Sequence, residues 1–365
     1  MVRGLHKMNK GMILDPRTLQ IDIITSPSWN PNSVGLEIDL LDASQVMHGD
    51  IHKDYNFVIA TEVWEIPMRK TLKYLRSKGL KVFFVPREPF KTEILKATMF
   101  SYNKFLYENE YYFKPDLLLA PGEAYAAFWS SASPTVITGY PRFDSWHDLK
   151  LDRKEIKKDY GLEKDRRLIF FPSYPPLHYK RVGQEDTFVD LYDEQEATLK
   201  ALEDFTVANS EYQAVIKVHP VAWKSHLKGK GIKGSVAGRM KKYLDHPTPS
   251  MKVIGDDRFS GLIAKELLFA ADLVVGFTST MLLEAGIIHR PSIHLLFGNT
   301  AELEGIPEYA KYLPTARTAE ELSDCILASK TGIVPQDYIE YYLGPQDGKA
   351  GERILGEIKK YLEGK

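Results

Sequence analysis

The sequence predicts an α/β protein built on parallel sheets and divided into two domains. Three observations lead there. Short apolar runs recur along the chain, each followed by a stretch whose apolar residues repeat with helical spacing. The runs are apolar throughout rather than alternating, as strands covered on both faces must be. At 365 residues the chain has the length of two ordinary domains.

Taken in order, the first part offers strands at 57–61, 81–86, 116–120 and 135–138. A helix fits 67–78, with Pro67 suited to a first helical turn and Gly79 to the stop beyond the last. Another fits 123–130. Near residues 145–165 the charged segment DLKLDRKEIKKDYGLEKDRR reads as an exposed helix after a linker, opening a second domain. Strands follow at 167–172, 213–218, 251–254, 273–277 and 292–295, with helices at 194–209, 260–271 and 280–289. Residues 348–362 form one more amphipathic helix. The expected division is 1–145, 146–345 and a C-terminal helix 346–365 available to pack back towards the first domain. Residues 1–55 yield no strand by this reading.

Composition excludes several classes. An apolar fraction of 44% and a charged fraction of 27% are those of a globular protein. A net charge of −1 argues against nucleic acid as partner. One cysteine, Cys325, leaves no internal disulfide and suits a reducing compartment. Residues 1–11 are basic but no apolar core follows, so no secretion leader is expected, and no run reaches the length of a membrane helix. A cytoplasmic protein is the expectation. No cluster has convincing metal-ligand spacing, and no metal or resident cofactor is expected.

Four segments carry candidate chemistry, each at a strand end, where open α/β sheets place their ligands. The first is Thr138-Gly139-Tyr140-Pro141-Arg142-Phe143-Asp144, a tight turn that aims Arg142 and Asp144; a domain-linking turn with a surface ion pair fits it equally. The second is Pro172-Ser173-Tyr174-Pro175-Pro176, a rigid loop holding a hydroxyl and a ring. In the third, Lys217-Val218-His219-Pro220, strand alternation puts Lys217 and His219 on one face. A cation and an imidazole there suit a diphosphate leaving group. The fourth, AADLVVGFTSTMLLEAGIIHRPSI at 270–293, runs from a strand through Thr278, Ser279 and Thr280 into a helix. A Ser/Thr-capped helix start presents backbone N–H groups and a positive dipole end to a phosphate. Glu284 follows one turn later on the same face, placed for a ribose hydroxyl. An ordinary, well-capped βα unit accounts for the same residues.

In order and spacing the four segments resemble the glycosyltransferase-B (GT-B) type proteins of the CDP-glycerol glycerophosphotransferase family, the teichoic-acid primases and polymerases, and related surface-carbohydrate proteins. Gly139, Pro141, Arg142 and Asp144 match the family's G-x-P-R-x-D. Pro172, Ser173 and Tyr174 match P-[ST]-[WY], and Lys217, His219 and Pro220 match K-x-H-P. Ala271, Asp272, Ser279, Thr280 and Pro291 match the last element, and the tail Gly344-Pro345-x-Asp347-Gly348-Lys349-Ala350 is similar to the family's ending. The resemblance covers about residues 115–360 and implies two Rossmann-like domains facing across a cleft, with a nucleotide-diphosphate donor on the second and a hydroxyl acceptor on the first. It implies donor contacts from Gly139, Arg142, Ser173, Tyr174, Lys217, His219, Thr278, Ser279, Thr280 and Glu284. The acceptor class is a glycan, a polyol phosphate or a lipid-linked sugar, with peripheral association at the inner face of a membrane.

Two departures stand out. Where the family carries W-H-G-T-P-x-K, with its His as proposed base, this chain reads Val85-Pro86-Arg87-Glu88-Pro89-Phe90-Lys91. Glu88 is then the first candidate base and Glu62, after the strand at 57–61, the second. The Asp of the family's D-Y-S-S is Phe277. Thr280, Met281, Glu284 and Ala285 also look like the nucleotide-sugar 2-epimerases and lipid-linked N-acetylglucosaminyl transferases, where a Glu on this helix contacts ribose. That similarity favours a nucleotide-sugar donor over CDP-glycerol. The run 224–242 carries seven Lys and Arg and no acid. It suits an anionic acceptor or membrane face, and equally a solvated loop.

Overall fold

The computed structural model describes residues 9–15, 26–42, 46, 55–61, 66–86, 113–129, 133–148, 150–174, 177–182, 185–220, 223, 242, 248–255, 262–277, 279–298 and 309–364. By its contacts the chain divides into two units. The first is Met1–Leu149 with Glu340–Lys365, and the second is Lys150–Ile339.

The first unit carries strands β1 (Asn9–Asp15), β2 (Leu36–Asp42), β3 (Phe57–Ala60), β4 (Lys81–Phe84), β5 (Leu117–Ala120) and β6 (Thr135–Ile137). They form one parallel sheet in the order β2-β1-β3-β4-β5-β6. Alternate residues feed two apolar layers, as strand geometry requires. Met12, Val58, Ala60, Val82, Phe84 and Leu118 face Met68, Leu72 and Leu75 of helix α1 (Ile66–Ser77) and Tyr125 of α2 (Glu123–Trp129). Ile13, Phe57, Ile59, Phe83 and Leu119 face the other way. The one-turn α3 (Ser145–Asp148) ends this stretch of the unit.

The second unit begins with α4 (Arg153–Asp159). Asp152 caps that helix by accepting from the N–H groups of Lys154 and Glu155. The helix expected to be exposed buries Ile156 and Lys157. Next come β7 (Arg167–Pro172), the hairpin β8 (Leu177–Val182) and β9 (Glu185–Asp190), and α5 (Tyr192–Ala208). Then follow β10 (Tyr212–Lys217), β11 (Met251–Ile254), α6 (Leu262–Ala270), β12 (Leu273–Gly276), α7 (Thr280–Ile287), β13 (Ser292–Leu295), β14 (Thr315–Ala316) and α8 (Ala319–Leu327). The sheet is parallel, in the order β11-β10-β7-β12-β13-β14. Leu199, Leu202 and Phe205 of α5 and Leu322 and Ile326 of α8 cover one face through Ile169, Phe171, Ile216, Val275 and Ile293.

Helix α9 (Gln336–Leu343) spans the boundary, and α10 (Ala350–Leu362) returns to the first unit, where Ile354, Leu355 and Ile358 seal the layer of Ile13, Phe57 and Phe83.

Candidate functional site

In a doubly wound sheet the ligand crevice opens beyond the carboxyl ends of the strands, where the strand order reverses. The second unit starts at β7, lays β10 and β11 to one side, then β12, β13 and β14 to the other. The reversal therefore falls between β7 and β12. Two of the four segments end there: Ser173 and Tyr174 after β7, and Phe277, Ser279 and Thr280 after β12.

The third segment ends one strand away at the same level, because the register pairs Lys217 with Pro172. Ser173 fastens the two tips together. Its N–H donates to the Lys217 carbonyl at 2.9 Å, and its Oγ accepts the His219 N–H at 2.9 Å. Val218 is held from the other side by the Ile254 carbonyl at 2.8 Å, and Trp223 N–H donates to the His219 carbonyl at 3.0 Å. Lys217 is only 8% exposed, and its Nζ donates to the Val218 carbonyl at 3.0 Å. Trp223 packs against Gly255, just past β11, where a Cβ would lie 2.2 Å from the indole.

Across β7, Ser279 is the N-cap of α7. Its backbone is extended (φ −131°, ψ 146°) and its Oγ accepts the Met281 N–H at 3.2 Å. Tyr309 is fully buried and donates its hydroxyl to the Ser279 carbonyl at 2.9 Å, fixing the cap from outside the helix. Two strand spacings separate β10 from β12, so the Lys217–His219 tip and the start of α7 stand about 10 Å apart.

His294 on β13 pairs in register with Gly276 and stacks edge-on against Tyr309, with ring centroids 5.6 Å apart. Burial first, and Arg317 second, push its pKa down to about 4. In the unfolded chain it titrates near 6.5. Between those values the unfolded state binds more protons, so stability is full above about pH 6.5 and falls as pH drops towards 4. A loss on the order of 2–3 kcal/mol between pH 7 and pH 4 is expected from this group. Urea melts of wild type and His294→Leu across that range check it: the variant loses that part of the slope, and equal slopes would remove the assignment.

The structure thus brings Ser173, Tyr174, Lys217, His219, Ser279 and Thr280 to one edge of one sheet. Glu284 follows on α7 but is fully buried, with both carboxylate oxygens closed to solvent, so a ribose reaches it only if that cover moves. Thr278, Glu62 and Glu88 lie outside the described residues. So does the basic run 224–242 except Lys242, whose ammonium reaches Glu203 at 3.5 Å.

The first segment lies in the first unit, packed against that unit's own C-terminal segment. Gly139, expected at the donor, is buried with φ +84°, and a Cβ there would lie 2.9 Å from Arg353 Nη2 and 3.1 Å from Ala350 Cβ. Its role in this structure is to let the C-terminal segment of its own unit pass close. Arg142 is half-buried in the single turn Pro141–Phe143. Asp144 is 3% exposed and accepts from Ser26 Oγ (2.7 Å), Ser28 Oγ (2.6 Å), Ala350 N–H (3.0 Å) and Gly351 N–H (2.9 Å). It is the anionic cap of α10, whose own N-cap residue, Lys349, supplies no side-chain bond. Asp272 of the fourth segment is likewise structural. It sits at the start of β12, bonded to Arg153 at 2.6 Å and to the Leu168 N–H at 2.8 Å. Burial raises its pKa, but these bonds and the charges of Arg153 and Lys157 outweigh that and hold it below the usual carboxylate range.

Sequence reasoning passed over His294, Tyr309 and Trp223. A histidine inside the apolar run SIHL was a visible signal; Tyr309 lies in no strand or helix pattern at all. Among the described residues no cluster of His, Cys, Asp and Glu could hold a metal ion, and no helix is long and apolar enough to cross a membrane.

Known structures share this architecture. The chain aligns with a putative UDP-N-acetylglucosamine 2-epimerase from Listeria monocytogenes over 98% of both chains, at 13% identity and a TM-score of 0.61. The wall teichoic acid polymerase TagF matches 98% of this chain with 89% of its own, at 14% identity and a TM-score of 0.55. The fold is of the GT-B type. A GT-B neighbour solved with its ligand, the UDP-GlcNAc 2-epimerase from Neisseria meningitidis bound to UDP-GlcNAc, covers 96% of this chain and 99% of its own, at 11% identity and a TM-score of 0.58. No family model matches the chain, and no curated protein matches it in sequence.

Proposed function

We propose that the second unit binds a nucleotide-diphosphate donor and that the protein is a metal-independent glycosyltransferase acting on a hydroxyl of a surface glycan, teichoic-like polymer or glycolipid. The observation that carries this reading is the placement of two segments at the strand-order reversal of the second sheet and of a third one strand away at the same level. In this reading the diphosphate lies at the start of α7 beside Ser279 and Thr280, where the helix dipole favours an anion. Lys217 and His219 offset the charge that develops as the donor bond breaks. A carboxylate from the N-terminal part, Glu88 first and Glu62 second, takes the acceptor proton. Support also comes from the neighbours, among them an epimerase bound to UDP-GlcNAc and a TagF variant soaked with CDPG.

The same neighbours motivate two other chemistries: transfer from CDP-glycerol, and 2-epimerisation of a nucleotide sugar. The residue Pro86 at the family's histidine position motivates a third, a partner subunit that binds without turnover. Titration calorimetry of the full chain against UDP, CDP, UDP-GlcNAc and CDP-glycerol tests the common element. Binding of at least one is expected, and binding of none would overturn the proposal. Conversion of UDP-GlcNAc without acceptor would assign epimerisation. Turnover confined to CDP-glycerol would assign glycerophosphotransfer, and binding without turnover over any acceptor would assign the partner role.

A further inference from the structure

Trp223 is the only tryptophan of the second unit, the others being Trp29, Trp64, Trp129 and Trp146. It stands just after the β10 tip, where its N–H closes a turn on the His219 carbonyl at 3.0 Å. The register pairs Lys217 with Ile254, so Gly255 comes level with Val218, between the lysine and the histidine of the proposed site. A Cβ on Gly255 would lie 2.2–2.3 Å from three carbons of the indole's six-membered ring. Gly255 has no left-handed φ that would call for glycine, so its missing side chain serves to admit the indole. Trp223 packs on the apolar layer that holds Ile216 and Val218, yet it is only half-buried. A large aromatic side chain, fixed in place and left partly open at the strand tips, has surface to offer a ligand.

We infer that Trp223 receives the pyrimidine base of the donor nucleotide and stacks against it. This rests on the donor reading above. The order of the strand tips and the chemistry of the ring decide between the portions of such a donor. Along β11-β10-β7-β12 the start of α7 lies at one end, Lys217 and His219 stand two strands away, and the indole lies beyond them beside β11. A diphosphate held between α7 and the β10 tip therefore leaves an uncharged end of the nucleotide at Trp223. An indole brings no charge and a single N–H donor, too little for the hydroxyls of a sugar or a glyceryl unit, whereas any base has a π-face to stack.

The test compares wild type with Trp223→Phe and Trp223→Ala. Tryptophan emission of wild type is expected to fall on addition of saturating UDP or CDP. Trp223→Phe keeps a ring, binds the same nucleotide within about threefold, and shows no such fall. By calorimetry Trp223→Ala loses about tenfold or more of the affinity for UDP and CDP, and as large a factor for UDP-GlcNAc and CDP-glycerol, but binds inorganic pyrophosphate as wild type does. An equal fall of emission in wild type and Trp223→Phe would place the change at another tryptophan and overturn the inference. Unchanged nucleotide affinity in Trp223→Ala overturns it as well. A loss confined to UDP-GlcNAc or CDP-glycerol would move the contact to the transferred unit, and an equal loss for pyrophosphate would show that the β10 tip itself had shifted; either result overturns it. Should the alanine variant fail to fold, the emission of wild type and Trp223→Phe decides alone. If wild type binds no nucleotide, the donor reading fails first; if it binds and both variants follow it throughout, only the present inference fails.

Discussion

Replacing Asp144 with alanine is expected to lower stability by about 3 kcal/mol or more, one of the largest effects of any single polar substitution in the chain. The carboxylate is buried and accepts four hydrogen bonds, two from Ser26 and Ser28 hydroxyls and two from the first amides of α10. Alanine strands all four donors inside the fold and removes the charge that faces the positive end of the helix. Because α10 seals one face of the first sheet with Ile354, Leu355 and Ile358, loosening its start exposes an apolar layer as well. Asp144→Asn keeps the volume and part of the acceptor capacity and should fall between. Ser26→Ala and Ser28→Ala each remove one donor to Asp144, together with the longer bonds that Ser26 Oγ makes with Ser28 and Ser28 Oγ makes with the Glu352 N–H, and should cost least. Thermal and urea unfolding check the series; an alanine variant that melts with wild type would show that the clasp carries no load.

The second large effect concerns turnover. Lys217→Met and His219→Ala should each lower kcat by about tenfold or more on whichever donor the chain accepts, with a smaller change in KM, since leaving-group charge develops mainly in the transition state. Methionine is chosen at 217 because the lysine is 8% exposed and its stem is part of the packing. Ser173→Ala, which frees the His219 N–H from its partner, should give a smaller loss by loosening the tip of β10. A His219→Ala enzyme with full kcat would remove His219 from the proposed chemistry.

Much of the fold could be read in the sequence because the buried parallel strands are apolar on both faces. Residues 117–120 and 273–275 have no polar member, and such a run admits few alternatives to a central strand. The two strands missed, β1 and β2, depart from that signal for a physical reason. β2 is an edge strand, and its Glu37 and Asp39 pair with Lys10 of β1 at 2.9 and 3.0 Å, so charge interrupts the apolar pattern of both. The hairpin β8–β9 likewise lies outside the parallel series that the pattern detects.

Legibility of the site was uneven in the same way. The strand tips bearing Ser173, Lys217 and Ser279 follow from local rules, since a run of apolar residues ends where polar ones begin. Nothing local distinguishes Asp144, which belongs to a clasp, from Lys217, which belongs to the edge of the second sheet. Both follow a strand and both stand in a recognisable element. What separates them is the company each keeps: Asp144 meets residues 118 positions before it and 206 after it. Trp223 was hidden because it stands in no recognisable element, and its place beside the β10 tip shows only once Gly255 is found against it.

Hydrogen exchange of the full chain, followed by mass spectrometry with and without saturating UDP or CDP, tests most directly whether the switch point of the second sheet is the nucleotide site. Slower exchange is expected in peptides holding Ser173 and Tyr174, Val218 and His219, and Ser279 to Leu282, with the rest of the second unit little changed. Tight binding that leaves all three segments exchanging at their free rates would contradict the account.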